Sequence, residues 1–237
     1  MNILAIETSS EAGSVALCIG DDAFELASEG AQTHSGWVLP AISRLLGEAG
    51  AKLAELDAIA FGAGPGAFTG LRLACGVAQG LAFAASRPVV EVGSLEALAW
   101  AAGQGLQVVA TDARMNELYF AAYEVRDHEV LCRLSPRCEP PQEAGATLAA
   151  FLAQTPGDWS GAGNGFAAYD NVLSAAITAQ LVRIDSASRP TARAVAALAA
   201  HCVSRGEVLA AAQAAPHYVR DKVARTTAER LASGGRS

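Results

Sequence analysis

The chain has 237 residues, 51% of them hydrophobic, with a formal net charge of −7. This length suffices for one large domain or two small lobes. Because phosphate contacts need clustered Lys and Arg, an acidic chain without a basic run disfavours direct binding of tRNA or duplexes. The first residues lack the basic start of a signal peptide, and no apolar run reaches the roughly 18 residues of a membrane span. We therefore expect a cytoplasmic protein without membrane contact.

Cysteine usage agrees with a reducing compartment. The number of cysteines is odd, and no C-x-x-C pair occurs. Four of the five lie in apolar stretches, which predicts buried, reduced thiols. The five are Cys18, Cys75, Cys132, Cys138 and Cys202.

The first half of the chain predicts an α/β unit that opens with a β-hairpin. Apolar runs and helical spacing predict these elements in order: strands at 2–6, 14–19 and near 23–28, a helix over 35–49, a strand at 57–61, a helix over 69–85, a strand at 88–92 and a helix over 95–102. Ser94 is placed to cap the last helix.

The same pattern restarts in the second half. The predicted elements are strands at 107–112, 118–125 and 129–134, a helix near 144–154, a strand near 158–161, and helices over 166–178 and 190–205. Each half opens with an apolar strand that ends in an acid, Glu7 or Asp112. This repetition predicts a duplicated α/β fold of two lobes, the actin-like and Hsp70-like (ASKHA) plan.

We predict lobe boundaries from the same pattern. The first lobe covers 1–103 and is rejoined by 216–222, and the second lobe covers 104–215. The polar end, 223–237, is predicted to be disordered.

Four loops are candidate phosphate or nucleotide sites, and each has a plainer alternative. The glycine-rich loop after the fourth strand presents backbone N–H groups at a helix start, although it lacks the Lys of a P-loop. Its alternative is a tight turn with close helix packing. The two hairpin turns and GAGNG at 161–165 are the other candidates. The alternatives are a polar turn for the first hairpin and a plain turn for GAGNG. In the second hairpin turn, an ion pair or lobe contact made by Asp112 and Arg114 is favoured over a catalytic dyad. The candidate residues are Thr8, Ser9, Gly13, Gly64, Gly66, Asp112 and Asn164.

The helix after the glycine loop predicts a contact surface. Gly76 and Gly80 lie four residues apart, and a glycine inside a helix costs roughly 1 kcal/mol relative to alanine. We expect this face, with Leu73 and Val77 beside it, to meet another helix of the core or of a second subunit. The histidines His34, His128, His201 and His217 are isolated, so we predict neither a metal site nor catalytic residues.

Several stretches together resemble one family. They are ILAIETS at 3–9, GPGAFTGLRLACGVAQGLA at 64–82, EVGSLEALA at 91–99, TDARMNELY at 111–119, GNG at 163–165 and PHYVR at 216–220. In this combination the chain resembles the TsaB family, formerly YeaZ. In the catalytic paralogue TsaD, the segment matching EVGSLEALA carries an H-x-x-x-H metal pair. Here those positions are Ser94 and Leu98, which are poor ligands.

The resemblance implies a non-catalytic scaffold subunit. With TsaD and the ATPase TsaE, such a subunit supports transfer of threonylcarbamoyl from threonylcarbamoyl-AMP to N6 of adenosine 37, in tRNAs that read codons beginning with A. It implies ATP/ADP and metal on TsaD and TsaE rather than on this chain, and tRNA contact only through the complex. It also implies pairing with TsaD through the Gly76/Gly80 face, or with a second copy when TsaD is absent. A stand-alone actin-like phosphotransferase or peptidase, and a homodimeric storage form, stay open as alternatives.

Overall fold

The structure is a computed structural model that describes residues 1–28, 34–127 and 129–220. The first lobe contains one five-stranded sheet and the helices that follow its strands. Its elements are β1 (Asn2–Glu7), β2 (Ser14–Ile19), β3 (Asp22–Ala27), α1 (His34–Ala49), β4 (Ala58–Gly64), α2 (Phe68–Ala85), β5 (Val89–Gly93) and α3 (Ser94–Ala102).

The second lobe repeats this plan around a second five-stranded sheet. The remaining elements are β6 (Gly105–Asp112), β7 (Leu118–Arg126), β8 (Glu129–Glu139), α4 (Pro141–Gln154), β9 (Trp159–Ala162), α5 (Gly165–Ala168), α6 (Asp170–Ala176), β10 (Arg183–Asp185) and α7 (Ala192–Ser204).

The two sheets have the same strand order. It is β3-β2-β1-β4-β5 in the first and β8-β7-β6-β9-β10 in the second. In each sheet the first three strands form an antiparallel meander, and the last two run parallel to the first strand. The predicted duplication and the two-lobed ASKHA fold are confirmed.

Alternation along the central strands creates a core on both faces of each sheet. Leu4 and Ile6 of β1 face α1 and α2, while Ile3 and Ala5 face α7. In the second sheet, Val108 belongs to the core beneath α4 and α6. The opposite face of the same sheet packs on α3. Helix α3 therefore lies between the lobes.

Tertiary packing changes several predicted elements. Helix α7 packs on the first sheet, although its sequence position falls within the predicted second lobe. The lobe boundaries themselves stay a prediction. The predicted helix over 166–178 is wrong as one unit, because the chain leaves helical geometry at Tyr169, where φ is −126° and ψ is 36°. Strand β10 was not predicted, since its three residues form no apolar run.

Two local predictions are also wrong. Ser94 is the first residue of α3 and makes no cap; Gly93 precedes the helix, without a side-chain cap. All five cysteines are free thiols, but only Cys75 is buried, while Cys132 on β8 is exposed. The apolar residues around Cys132 therefore do not enclose it.

Helix α2 is, among the described residues, the one helix long and apolar enough to match a membrane span. This corrects the expectation from the sequence that no run reaches that length. One side of α2 packs on the first sheet through Leu71, Ala74 and Ala78, as a core helix does. His128 and residues 221–237, including the predicted tail, lie outside the described residues.

Candidate functional site

A cavity of about 670 Å³ lies between the lobes. The two hairpin turns, the glycine loop before α2, the α3 start and the segment 217–220 surround it. The hairpin turns of both repeats line this cleft, and they carry several of the predicted phosphate-facing residues.

Four of those residues line the cleft: Ser9, Gly66, Asp112 and Asn164. The Asn164 side chain accepts a 3.0 Å hydrogen bond from the Asp112 amide, so the GAGNG turn supports the second hairpin turn. Whether these residues meet a nucleotide stays a prediction.

The other three predicted residues, Thr8, Gly13 and Gly64, do not line the cleft, and each has a packing role. The Thr8 hydroxyl is buried and donates to the Gly70 carbonyl at 2.7 Å. A Cβ at Gly13 would lie 2.8 Å from the His34 ring, and one at Gly64 would lie 2.8 Å from the His217 carbonyl oxygen. Close packing within the fold thus accounts for all three positions, as the alternative of a tight, close-packed turn predicts for Gly64.

Glu7 ends β1 and is fully buried. Its carboxylate accepts hydrogen bonds from the Ser9 amide at 2.6 Å and from the Ser94 hydroxyl at 3.0 Å. Desolvation raises the pKa of Glu7, and these hydrogen bonds only partly oppose that rise. A Cβ at Gly62 would lie 1.9 Å from a carboxylate oxygen, so this glycine makes room for the acid.

The charged groups at the cleft mouth are paired across the lobes. Arg114, from the second hairpin turn, forms an ion pair with Glu11 of the first turn and another, of 3.2 Å, with Asp112. Tyr169 donates to Asp112 at 3.0 Å. The predicted Asp112–Arg114 ion pair is confirmed, and it also belongs to a contact between the lobes.

The predicted partner face lies on the exposed side of α2. Gly76 and Gly80 are exposed, and a Cβ built on either meets no atom within 4 Å. Leu73 and Val77 beside them are half-buried and pack against the first core. Further along the helix, Phe83 is 82% exposed. The surface is thus open and partly apolar; its role as an interface stays a prediction.

The resemblance matches two positions of this chain with a metal pair, and both positions make core contacts here. Ser94 is engaged with Glu7, and Leu98 is fully buried in the core between α3 and the second sheet. In the part of the chain that the structure describes, no three His, Cys, Asp or Glu side chains are grouped as metal ligands.

Sequence reasoning missed three contributors to the site: the buried Glu7–Ser94 pair, the Glu11–Arg114 ion pair and Arg220. The sequence held a signal for each: Glu7 ends an apolar strand, Arg114 lies in the motif TDARMNELY, and Arg220 lies in the motif PHYVR. Their partners are distant in sequence, so spacing could not identify them. His34, the first residue of α1, contacts the Ser10 carbonyl of the first hairpin turn through Nε2 at 3.0 Å.

Comparison with known proteins shows which family this chain resembles in sequence and fold. Residues 27–228 match the family described as TsaD, tRNA N6-adenosine threonylcarbamoyltransferase. The tRNA threonylcarbamoyladenosine biosynthesis protein TsaB of Escherichia coli is 32% identical over 236 residues, covering 94% of this chain and 96% of that protein. The Haemophilus influenzae TsaB is 45% identical over 125 residues, 51% of this chain and 53% of that protein.

Solved structures agree. A Pseudomonas aeruginosa protein described as similar to the peptidase YeaZ superposes with a TM-score of 0.82 at 38% identity, covering 92% of this chain and 99% of that one. A second structure, YeaZ from the same organism, has a TM-score of 0.80. By its matched length, its identity to TsaB and its fold, the chain belongs to the TsaB (YeaZ) family, which is named for a role in tRNA threonylcarbamoyladenosine biosynthesis.

Proposed function

We propose that this chain is a non-catalytic scaffold subunit that acts with TsaD and TsaE in the cytoplasm. In this role it supports transfer of threonylcarbamoyl from threonylcarbamoyl-AMP to N6 of adenosine 37, in tRNAs that read codons beginning with A. The observation that carries the proposal is the exposed pair of glycines on α2.

The physical reason is a contrast between glycines of the same helix. At Gly70 a Cβ would lie 1.8 Å from the Thr8 carbonyl oxygen, so the fold itself requires glycine there. At Gly76 and Gly80 no described atom occupies that space. Each nevertheless costs roughly 1 kcal/mol of helix stability relative to alanine. A partner helix that packs closely against this face would offset that cost.

The occupied positions in and near the cleft support a scaffold role rather than a catalytic one. Ser94 and Leu98 serve hydrogen bonding and core packing, and Glu7 is enclosed by its own turn. We therefore assign ATP/ADP and metal to TsaD and TsaE. Contact with tRNA would arise through the complex, since the chain carries a net charge of −7.

The test is co-purification with TsaD. The double variant Gly76→Leu/Gly80→Leu should lose TsaD because two bulky side chains keep a partner helix away. Ala146→Leu/Ala150→Leu is the matched control, with the same spacing on the exposed side of α4 in the other lobe. Thermal melting establishes that both variants fold. Normal TsaD binding by the glycine variant would refute the interface.

Reconstitution of tRNA modification with and without this chain tests the functional role. We expect modification by TsaD and TsaE to require the chain and to fail with the Gly76→Leu/Gly80→Leu variant. Sedimentation with and without TsaD separates this role from a storage homodimer, because a homodimer formed on the same face should dissociate as TsaD is added.

The cleft also bears on the enzymatic alternatives, since a cavity of about 670 Å³ between two lobes can hold a small substrate. A phosphotransferase or peptidase would turn over ATP or peptide as the isolated chain. We expect no such turnover above that of an Asp112→Asn variant. Turnover that disappears in this variant would favour the enzyme.

A further inference from the structure

The segment 214–220, which we call the strap, crosses from the first lobe to the second along the cleft. Its start is attached to the first lobe by side chains and backbone. The Ala214 carbonyl accepts from Gln79 of α2 at 2.9 Å, and the Ala215 amide donates to Glu91 of β5 at 2.6 Å. His217 donates its amide to the Ala63 carbonyl at 2.7 Å.

The middle of the strap is held by the first turns of α2. Arg72 donates to the Tyr218 hydroxyl at 2.9 Å, and its guanidinium lies 3.7 Å from the centroid of the Phe68 ring. The Phe68 and Tyr218 rings are 5.6 Å apart. These three side chains form a compact aromatic and cationic cluster, which we call the latch.

The end of the strap is anchored on the second lobe. Arg220 donates to the Ala113 carbonyl at 2.9 Å and pairs with Glu117 at 2.5 Å. It thereby holds the β6–β7 turn. The backbone of this turn is unusual, since Arg114, Met115 and Asn116 all have positive φ values of 56° to 60°. This turn is the one that carries the ion pair to Glu11.

The latch lies in line with the proposed partner face. Arg72, Gly76 and Gly80 follow one another at intervals of four residues and are all exposed, so they share one side of α2. A helix packed on the two glycines would come close to Arg72 and exclude water from the latch. Removing water strengthens both the hydrogen bond and the cation–π contact.

We propose that the strap couples partner binding on α2 to the turn of the second lobe that borders the cleft. Binding on the glycine face stabilises the latch and so immobilises Tyr218, which belongs to both the latch and the strap. The immobilised strap then holds Arg220 on the β6–β7 turn. This inference rests on the proposed function, since the partner is the one that docks on Gly76 and Gly80. Because coupling is reciprocal, loosening Arg220 must weaken partner binding.

The test measures the affinity of the full chain for TsaD. Arg220→Gln should weaken binding by about fivefold or more, the range of ordinary coupling between sites. Tyr218→Phe, which keeps the ring but loses the hydrogen bond from Arg72, should weaken it in the same direction. Arg133→Gln is the matched control, an arginine in an ion pair with Glu124 on the second lobe. It should leave the affinity unchanged.

Amide hydrogen exchange supplies the second readout. We expect TsaD to slow exchange at residues 113–119 in the unaltered chain, and this effect should be lost in Arg220→Gln. Unchanged or tighter binding by Arg220→Gln, or exchange at 113–119 that TsaD does not alter, would overturn the coupling. If Gly76→Leu/Gly80→Leu fails to bind TsaD while Arg220→Gln binds normally, the strap proposal fails and the scaffold proposal stands. If both bind normally, the scaffold interface fails.

Discussion

The Ser94 hydroxyl donates a 3.0 Å hydrogen bond to the buried Glu7 carboxylate. Ser94 also accepts a hydrogen bond of 3.2 Å from the Gly64 amide. It therefore joins the ends of β1 and β4 to the start of α3, the helix between the lobes. Ser94 thus organises the base of the cleft in this chain.

Replacing Ser94 by alanine should destabilise the fold. The change leaves the Gly64 amide and one Glu7 oxygen buried without a partner, at a cost of about 1–3 kcal/mol. The free energy of unfolding in urea at pH 7 measures it. Ser43→Ala makes the same chemical change on the exposed side of α1 and should alter stability by no more than about 0.5 kcal/mol. Equal effects of the two substitutions would contradict the buried hydrogen-bond role.

Glu7→Gln should change how stability depends on pH. Burial raises the pKa of Glu7 above its ordinary value of 4.5, so the folded chain holds this proton more tightly than the unfolded chain. The associated stability is complete below about 4.5 and is lost as pH rises through the raised pKa of the folded state.

The glutamine variant does not titrate, so its stability relative to the unaltered chain should increase between pH 4 and pH 8. Chemical denaturation at pH 4, 6 and 8 gives the difference directly. A difference that stays constant over this range would show that Glu7 titrates alike in the folded and unfolded chains.

Two glycines of α2 should respond oppositely to alanine. Gly70→Ala should destabilise the chain by about 1–3 kcal/mol or more, because the new methyl group meets the Thr8 carbonyl. Gly76→Ala should stabilise the isolated monomer by up to about 1 kcal/mol through helix propensity. Thermal unfolding of dilute protein compares the two. Destabilisation of the monomer by Gly76→Ala would show that the fold itself needs that glycine.

The cysteines should differ in reactivity. Burial raises the pKa of the Cys138 thiol to about 11, which leaves roughly 0.1% thiolate at pH 8. Cys132 is exposed and Cys75 is buried. Iodoacetamide at pH 8, followed by peptide mass spectrometry, should therefore label Cys132 well before Cys138 and Cys75. Labelling of Cys138 as fast as Cys132 would contradict the raised pKa of the Cys138 thiol.

Local sequence patterns were enough to predict most elements of the fold. Apolar alternation and helical spacing act over a few residues, so β1, β2, α1 and α2 were predicted within one or two residues of their observed bounds. The restart of the hairpin pattern after residue 104 predicted the duplication that the two sheets display. Motifs such as GPGAFTGLR and DARMNELY pointed to the family.

Only the tertiary structure decided which side chains meet. Ser94 and Glu7 are separated by 87 residues, and Arg72 and Tyr218 by 146, so no local pattern could pair them. The side of the first sheet that α7 covers depends likewise on long-range burial of apolar surface. The sequence by itself determined the two-lobed plan and the family. Folding decided the burial of Glu7, the packing role of Thr8 and the path of the strap, because these depend on contacts between residues that are distant in the sequence.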